Sequence, residues 1–124
     1  MNKNSFPICK QNKDSHCNTI GHEWVLASTG RHASIYERSS GIQLHTLKIE
    51  EKEMSSSLVL GNKLFIGTYV DTLYMFSIPE FKKLCSVRTH ESILSIVSMN
   101  EQLLCLGQAD GNVDFISISL GKEG

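Results

Sequence analysis

Displacing the sequence against itself by 40 positions brings short apolar stretches into register three times without a gap. Trp24, Leu64 and Leu104 coincide, then Leu26, Ile66 and Leu106, then Ala27, Gly67 and Gly107. Ala33, Leu73 and Val113 follow, with Ile35, Met75 and Phe115, then Tyr36, Phe76 and Ile116; the same shift sets Leu44 on Leu84 and Leu47 on Val87. A period of about 40 residues marks a repeat whose single unit leaves a hydrophobic face bare until a neighbour stacks on it.

Within each unit the apolar residues fall in short runs rich in Ile, Val, Leu and aromatics, bounded by Gly, Asn, Asp or Ser, which is the pattern of strands. No segment sustains the i, i+3, i+4, i+7 spacing over the length of a helix. The middle unit reads as strands at Ser57–Leu60, Leu64–Thr68, Thr72–Ile78 and Lys83–Val87, broken at Gly61-Asn62, Val70-Asp71 and Pro79-Glu80. The last repeats this at Ile93–Met99, Leu103–Gly107 and Val113–Ile118, and the first at Trp24–Ser28, Ala33–Arg38 and Gln43–Lys48. Four strands per period of about 40 residues is the make-up of one β-propeller blade. The expected fold is therefore all-β: a partial propeller of about three four-stranded antiparallel blades.

The residues that carry the repeat also resemble a known family. Trp24-Val-Leu-Ala-Ser-Thr-Gly-Arg-His-Ala-Ser-Ile-Tyr-Glu is similar to the WD-repeat pattern, with Tyr36-Glu37 standing where the Trp-Asp dipeptide would be. Leu106-Gly-Gln-Ala-Asp-Gly-Asn-Val-Asp-Phe-Ile looks like the same element, and Ile66-Gly-Thr-Tyr-Val-Asp-Thr-Leu-Tyr-Met-Phe is a degenerate middle copy. The resemblance spans residues 16 to 122 and implies a propeller fold. It divides the chain into an irregular lead-in, 1–15, with a possible outer strand at Phe6–Lys10, and a propeller segment, 16–124, of units near 5–38, 39–78 and 79–118.

The family's buried network joins a His before the first strand, a Ser or Thr in the second, an Asp in the next turn, and the Trp. No unit here has all four. Only His90 and Asp110 offer the His–Asp pair, because the forty-residue equivalents of His90 are Glu50 and Lys10. Ser28 and Thr68 fill the hydroxyl position, and Gln108 does not. Blades held mainly by apolar stacking are the expectation. The run Leu120-Gly-Lys-Glu-Gly looks like a turn into an outer strand that does not follow, and closed propellers need roughly four to eight blades. The chain is thus expected to be a fragment of a larger propeller, or to close a ring by association.

Composition narrows the function classes. Twelve Lys plus Arg against thirteen Asp plus Glu give a net charge of −1, which supplies no global positive field for nucleic acid or anionic lipid. No apolar run approaches the roughly twenty residues of a membrane helix, and Met1–Gln11 lacks the apolar centre of a signal peptide. A cytoplasmic or nuclear location is expected, with Cys9, Cys17, Cys85 and Cys105 as reduced thiols.

Two constellations invite a chemical reading. Cys9, His16, Cys17 and His22 are of zinc-ligand type, but the adjacent His16-Cys17 and the wide first gap match no zinc motif. His90, Asp110 and Ser92 or Ser95 contain the residue types of a hydrolytic triad, without a nucleophile elbow. Glycines are scattered at turns, so no phosphate cradle is evident. The expectation is a non-enzymatic chain without cofactor or metal.

Loop position carries the stronger argument. In WD-type propellers the loops entering the innermost strands and those joining the second and third strands form one rim. Here they supply Arg31, His32, Tyr69, Asp71, Arg88, His90 and Asp110, with segments 48–53 and 88–91. Mixed charge around an exposed aromatic suits recognition of a protein or peptide. The expected function is a protein-interaction scaffold within a larger signalling or ubiquitin-ligase-type protein; the alternative is a module that closes a ring as a homo-oligomer.

Overall fold

The structure is a computed structural model in which residues 15–29, 31–50 and 52–118 are described. The lead-in with its candidate strand Phe6–Lys10, Cys9, and the terminal run from Leu120 lie outside these residues. Strands β1 (His16–Ile20), β2 (Trp24–Thr29), β3 (His32–Glu37) and β4 (Gln43–Leu47) form one antiparallel sheet in sequence order. A second is made by β5 (Met54–Leu60), β6 (Lys63–Thr68), β7 (Thr72–Ser77) and β8 (Lys83–Arg88), and a third by β9 (Ile93–Asn100), β10 (Leu103–Gln108) and β11 (Val113–Ser117). Each sheet is a meander, and the leading strand β5 adjoins both β1 and β9. This is the all-β, partial-propeller architecture expected of the repeat, with three described strands rather than four in the third sheet. The fourth strand closes the sheet of the three before it, whereas the sequence units begin with that strand.

Short turns allow the meanders. Gly61 and Asn62 alone join β5 to β6, and Gly61 has φ of 61°, a conformation without steric cost only for glycine. β5 starts at Met54, three residues before the apolar run that marks it, because Met54 pairs with Thr68 and is buried between sheets.

The sheets are held by apolar stacking at two junctions. Between the first and second lie Leu26, Ile35, Leu47, Leu64, Ile66, Tyr74, Phe76 and Phe81. Between the second and third lie Phe65, Leu73, Ile93, Ile96, Leu104, Leu106 and Ile118. Each fully buried aliphatic or aromatic side chain contributes about 1.5–3 kcal/mol over its exposed state. The middle sheet is covered on both faces, since alternate residues of β6 and β7 enter opposite junctions.

Pairing register identifies the equivalent positions. Asn18, Leu26, Ile35 and His45 lie side by side across the first sheet. Leu58, Phe65, Met75 and Cys85 do so across the second, and Val97, Cys105 and Phe115 across the third. Leu26 and Ile35 enter the first junction and Phe65 the second, so each row faces the following sheet. The gapless overlay is therefore one residue out at β2, where Leu26 matches Phe65 and not Ile66. Compensating turn lengths cause this. Residues 21–23 join β1 to β2 where residues 61–62 join β5 to β6, and residues 30–31 join β2 to β3 where residues 69–71 join β6 to β7. A one-residue displacement in a strand exchanges its two faces.

Candidate functional site

Backbone hydrogen bonds tie the loops of one rim into a continuous border. Tyr69 N–H donates to Glu53 O at 2.9 Å, joining the β6–β7 turn to the β4–β5 crossover. Thr89 N–H donates to Asp71 O at 2.7 Å, and the Ser92 hydroxyl donates to Tyr69 O, which binds the same turn to the β8–β9 crossover. Ala109 N–H then donates to Ser92 O at 3.0 Å and brings in the β10–β11 turn. Within the central turn, Thr68 Oγ1 donates to Thr72 O and accepts from Thr72 N–H, satisfying both groups where they are buried.

This border gathers Tyr69, Asp71, Arg88, His90 and Asp110. Tyr69 is 47% exposed and its neighbour Val70 48%, so the turn offers apolar surface although its backbone is anchored. Arg88 Nε stands 3.4 Å from Asp71 Oδ2 while the Arg88 side chain is 82% exposed. Such a pair contributes little to stability and leaves the guanidinium open to a partner. Arg31 and His32, at the β2–β3 turn, line a cleft of about 430 Å³ together with Thr46, Lys48, Glu50 and Lys83.

The expected His90–Asp110 pair does not form. Asp110 Oδ1 accepts from Asn112 N–H at 3.0 Å and Oδ2 from Asn112 Nδ2 at 2.9 Å, while His90 is exposed and no hydrogen bond joins it to Asp110 among the described residues. A carboxylate that closes on its own turn two residues on is satisfied locally. The third sheet instead pairs the buried Gln108 amide, as donor, with the Asp114 carboxylate.

A polar cluster around Tyr74, which no sequence pattern marked, adjoins the Arg31–Lys83 cleft through Glu50 and Lys83. Tyr74 is fully buried, and its hydroxyl donates to Glu50 Oε1 at 2.6 Å with Ile49 O 3.2 Å away. Lys52 Nζ lies 3.5 Å from Glu50 Oε1, Lys83 Nζ 4.0 Å from Oε2, and Lys83 Nζ also sits 4.8 Å from the centre of the Tyr74 ring. Lys52 Nζ donates to Thr72 Oγ1 at 2.8 Å. The tyrosine hydrogen bond, aided by the two lysines against some desolvation, holds the Glu50 carboxyl below the usual glutamate range. Burial, then the bond to Glu50, pushes the Tyr74 phenol well above the ordinary tyrosine value. The available signal was a tyrosine on the inward face of a strand, whose hydroxyl must find a partner when the ring is buried.

The N-terminal Cys/His group is dispersed in its described part. His16 and Cys17 are consecutive in β1 and so point to opposite faces: His16 Nε2 lies 3.1 Å from Ser57 Oγ, and Cys17 is exposed. Partial burial draws the His16 pKa below its usual value. His22 is exposed in the turn after β1, and Cys9 is outside the described residues.

No family model matches the chain, and no curated protein matches it by sequence. Solved propeller structures do. The computationally designed Ika4 protein superposes with a TM-score of 0.72 at 14% identity, over 83% of this chain and 64% of its own. The WD40 β-propeller domain of Doa1 gives 0.74 at 16% identity, over 85% of this chain and 36% of that one. The β-propeller domain of Cps50 (Swd1) from Myceliophteria thermophila gives 0.69 at 11% identity, over 85% and 38%. The three sheets are thus propeller blades, and the chain spans under two thirds of each of these structures.

Proposed function

We propose that this propeller segment is a non-catalytic protein-interaction scaffold, part of a longer signalling or ubiquitin-ligase-type protein of the cytoplasm or nucleus. The observation that carries the reading is the rim. Four separate loops are fastened to one another through backbone groups, which leaves Tyr69, Val70, Arg88 and His90 free to face outward. A surface held in advance loses little entropy on binding, and an exposed aromatic beside an arginine is the composition of interface anchors. In the adjacent cleft Arg31, Lys48 and Lys83 outnumber Glu50, whose carboxylate is already engaged with Tyr74. A partner segment seated there carries carboxylates.

Selection from a random peptide library on the purified chain tests this. Acidic sequences containing an apolar residue are expected, with binding that weakens as salt rises. Arg31→Glu with Lys48→Glu, and separately Tyr69→Ser with Arg88→Glu, should abolish capture while the far-ultraviolet spectrum is unchanged. Capture that is indifferent to all four substitutions would overturn the reading.

The third sheet favours a second reading, self-association. Its outer face exposes Val97, Met99, Val113 and Phe115, each more than half bare. Light scattering after size exclusion decides it: a discrete dimer or ring supports association, and a monomer across the concentration range excludes it.

A further inference from the structure

Two clefts at the junction of the first and second sheets share Glu50. One, of about 430 Å³, takes in Arg31, Lys48 and Lys83; the other, of about 300 Å³, is lined by Lys52, Thr72, Ser86 and Arg88. Five cations thus border one groove, and Glu50 is the single carboxylate among its described lining residues. In a chain of net charge −1 this is a local concentration of positive charge. Register builds the outer wall. Arg88 pairs with Thr72 and Ser86 with Tyr74, and a bulge at Leu84 sets Lys83 opposite Phe76. Lys83, Ser86 and Arg88 therefore share the face of the second sheet that carries Tyr74 and Phe76 towards the first.

Glu50 shows what chemistry this groove holds. Its carboxylate accepts from the Tyr74 hydroxyl at 2.6 Å and stands 3.5 Å from Lys52 Nζ and 4.0 Å from Lys83 Nζ. Burial does not fix it there, since the side chain is 59% exposed. Its backbone has φ of 58°, the left-handed region that disfavours a residue with a Cβ, so the carboxylate is held in place against a local cost. Its departure orphans nothing: the Tyr74 hydroxyl keeps Ile49 O at 3.2 Å, and Lys52 Nζ keeps Thr72 Oγ1 at 2.8 Å. A glutamate brings one charge and two acceptor oxygens. A phosphoryl ester brings a charge of about −1.5 to −2 and three strong acceptors, and so competes with Glu50 for the same lysines. It also reaches Arg88, whose 82% exposed guanidinium has donors to spare beyond the Nε beside Asp71.

We propose that the groove of Lys52, Lys83 and Arg88 is a phosphoryl site for a phosphorylated Ser or Thr in the partner segment, and that Glu50 is the chain's own stand-in for it. The phosphoryl group displaces the Glu50 carboxylate, and Ser86 adds a neutral donor beside the cations. This site rests on the protein-interaction reading above and deepens it: the rim captures an acidic segment, and the groove tells the phosphorylated form of that segment from the plain one.

Three peptide libraries with random flanks, centred on phosphoserine, glutamate or serine, supply the probes, and fluorescence anisotropy on the purified chain ranks the recovered peptides. Phosphoserine peptides are expected to bind about tenfold or more tighter than their glutamate counterparts. Arg88→Gln, at a position too exposed to endanger the fold, should remove most of that preference, as should Lys52→Gln with Lys83→Gln. Glu50→Gln should tighten binding of the glutamate peptides, because the competing charge is gone; a Glu50 that served the fold alone would give no such gain. Equal binding of phosphoserine and glutamate peptides would overturn the phosphoryl site and leave the rim reading standing, whereas failure of all three libraries would overturn both. A preference that survives both sets of cation substitutions, weaker binding by Glu50→Gln, or tighter binding to phosphatidylcholine vesicles containing a phosphorylated inositol lipid would each overturn the site as well.

Discussion

The Phe81 ring meets the Trp24 indole edge-on, with centroids 5.4 Å apart and planes at 83°. Trp24 opens β2 of the first sheet and Phe81 belongs to the last turn of the second, so the contact fastens the two sheets from their outer side. Edge-to-face pairs add to area burial because the positive ring edge meets the negative ring face. Phe81→Ala should cost about 3 kcal/mol or more, read as a lower urea midpoint. A loss below about 1 kcal/mol would mean that the sheets hold without this contact.

Tyr74→Phe keeps the ring and removes the hydroxyl that donates to Glu50. The folded Glu50 carboxyl titrates below its ordinary value, so between the two values the unfolded chain binds more protons. The stabilisation is present above the ordinary glutamate value and is lost as pH falls through the lower folded one. Tyr74→Phe should therefore melt below the parent at neutral pH, with the gap narrowing as the pH falls below the ordinary glutamate value. A gap independent of pH would detach Glu50 from the effect.

Gly67 sits where β6 passes close to the neighbouring blade. A Cβ there would lie 2.6 Å from Ser56 Oγ and 2.7 Å from Ile93 Cγ2, the latter on β9. Gly67→Ala is expected to destabilise by roughly 1–3 kcal/mol through overpacking. Thermal melts that coincide with the parent's would show that β9 can yield at no cost.

Val97 and Phe115 are 56% and 58% exposed, in the row that the first two sheets bury against their neighbours. Val97→Lys with Phe115→Lys should change stability by no more than about 0.5 kcal/mol per site while reducing any concentration-dependent mass. Sedimentation at several concentrations measures this, and a large loss of stability would mean that the face is covered.

Much of this was readable beforehand. Apolar runs separated by turn residues marked the strands, because a strand needs only local alternation and a stop. The rim loops were assigned from their order along the chain, and the backbone bonds among Glu53, Tyr69, Asp71, Ser92 and Ala109 bring four of those loops together. The His90–Asp110 pair failed since Asn112, two residues from the carboxylate, competes for it without any folding of distant parts. Glu50, Lys52 and Lys83 converge on Tyr74 from three places in the sequence, so no local spacing could join them.

By itself, the amino-acid order determined the period, the all-β character, the antiparallel meander and the turns, since each depends on residues within one unit. Tertiary structure decided which face of each strand is buried. A single residue added in one turn and removed from the next keeps the period at 40 but turns β2 over, so that Leu26 rather than Val25 enters the junction. Tertiary structure also decided that Phe81 plugs the junction between the first and second sheets, because only packing brings a turn of one sheet against the row of another.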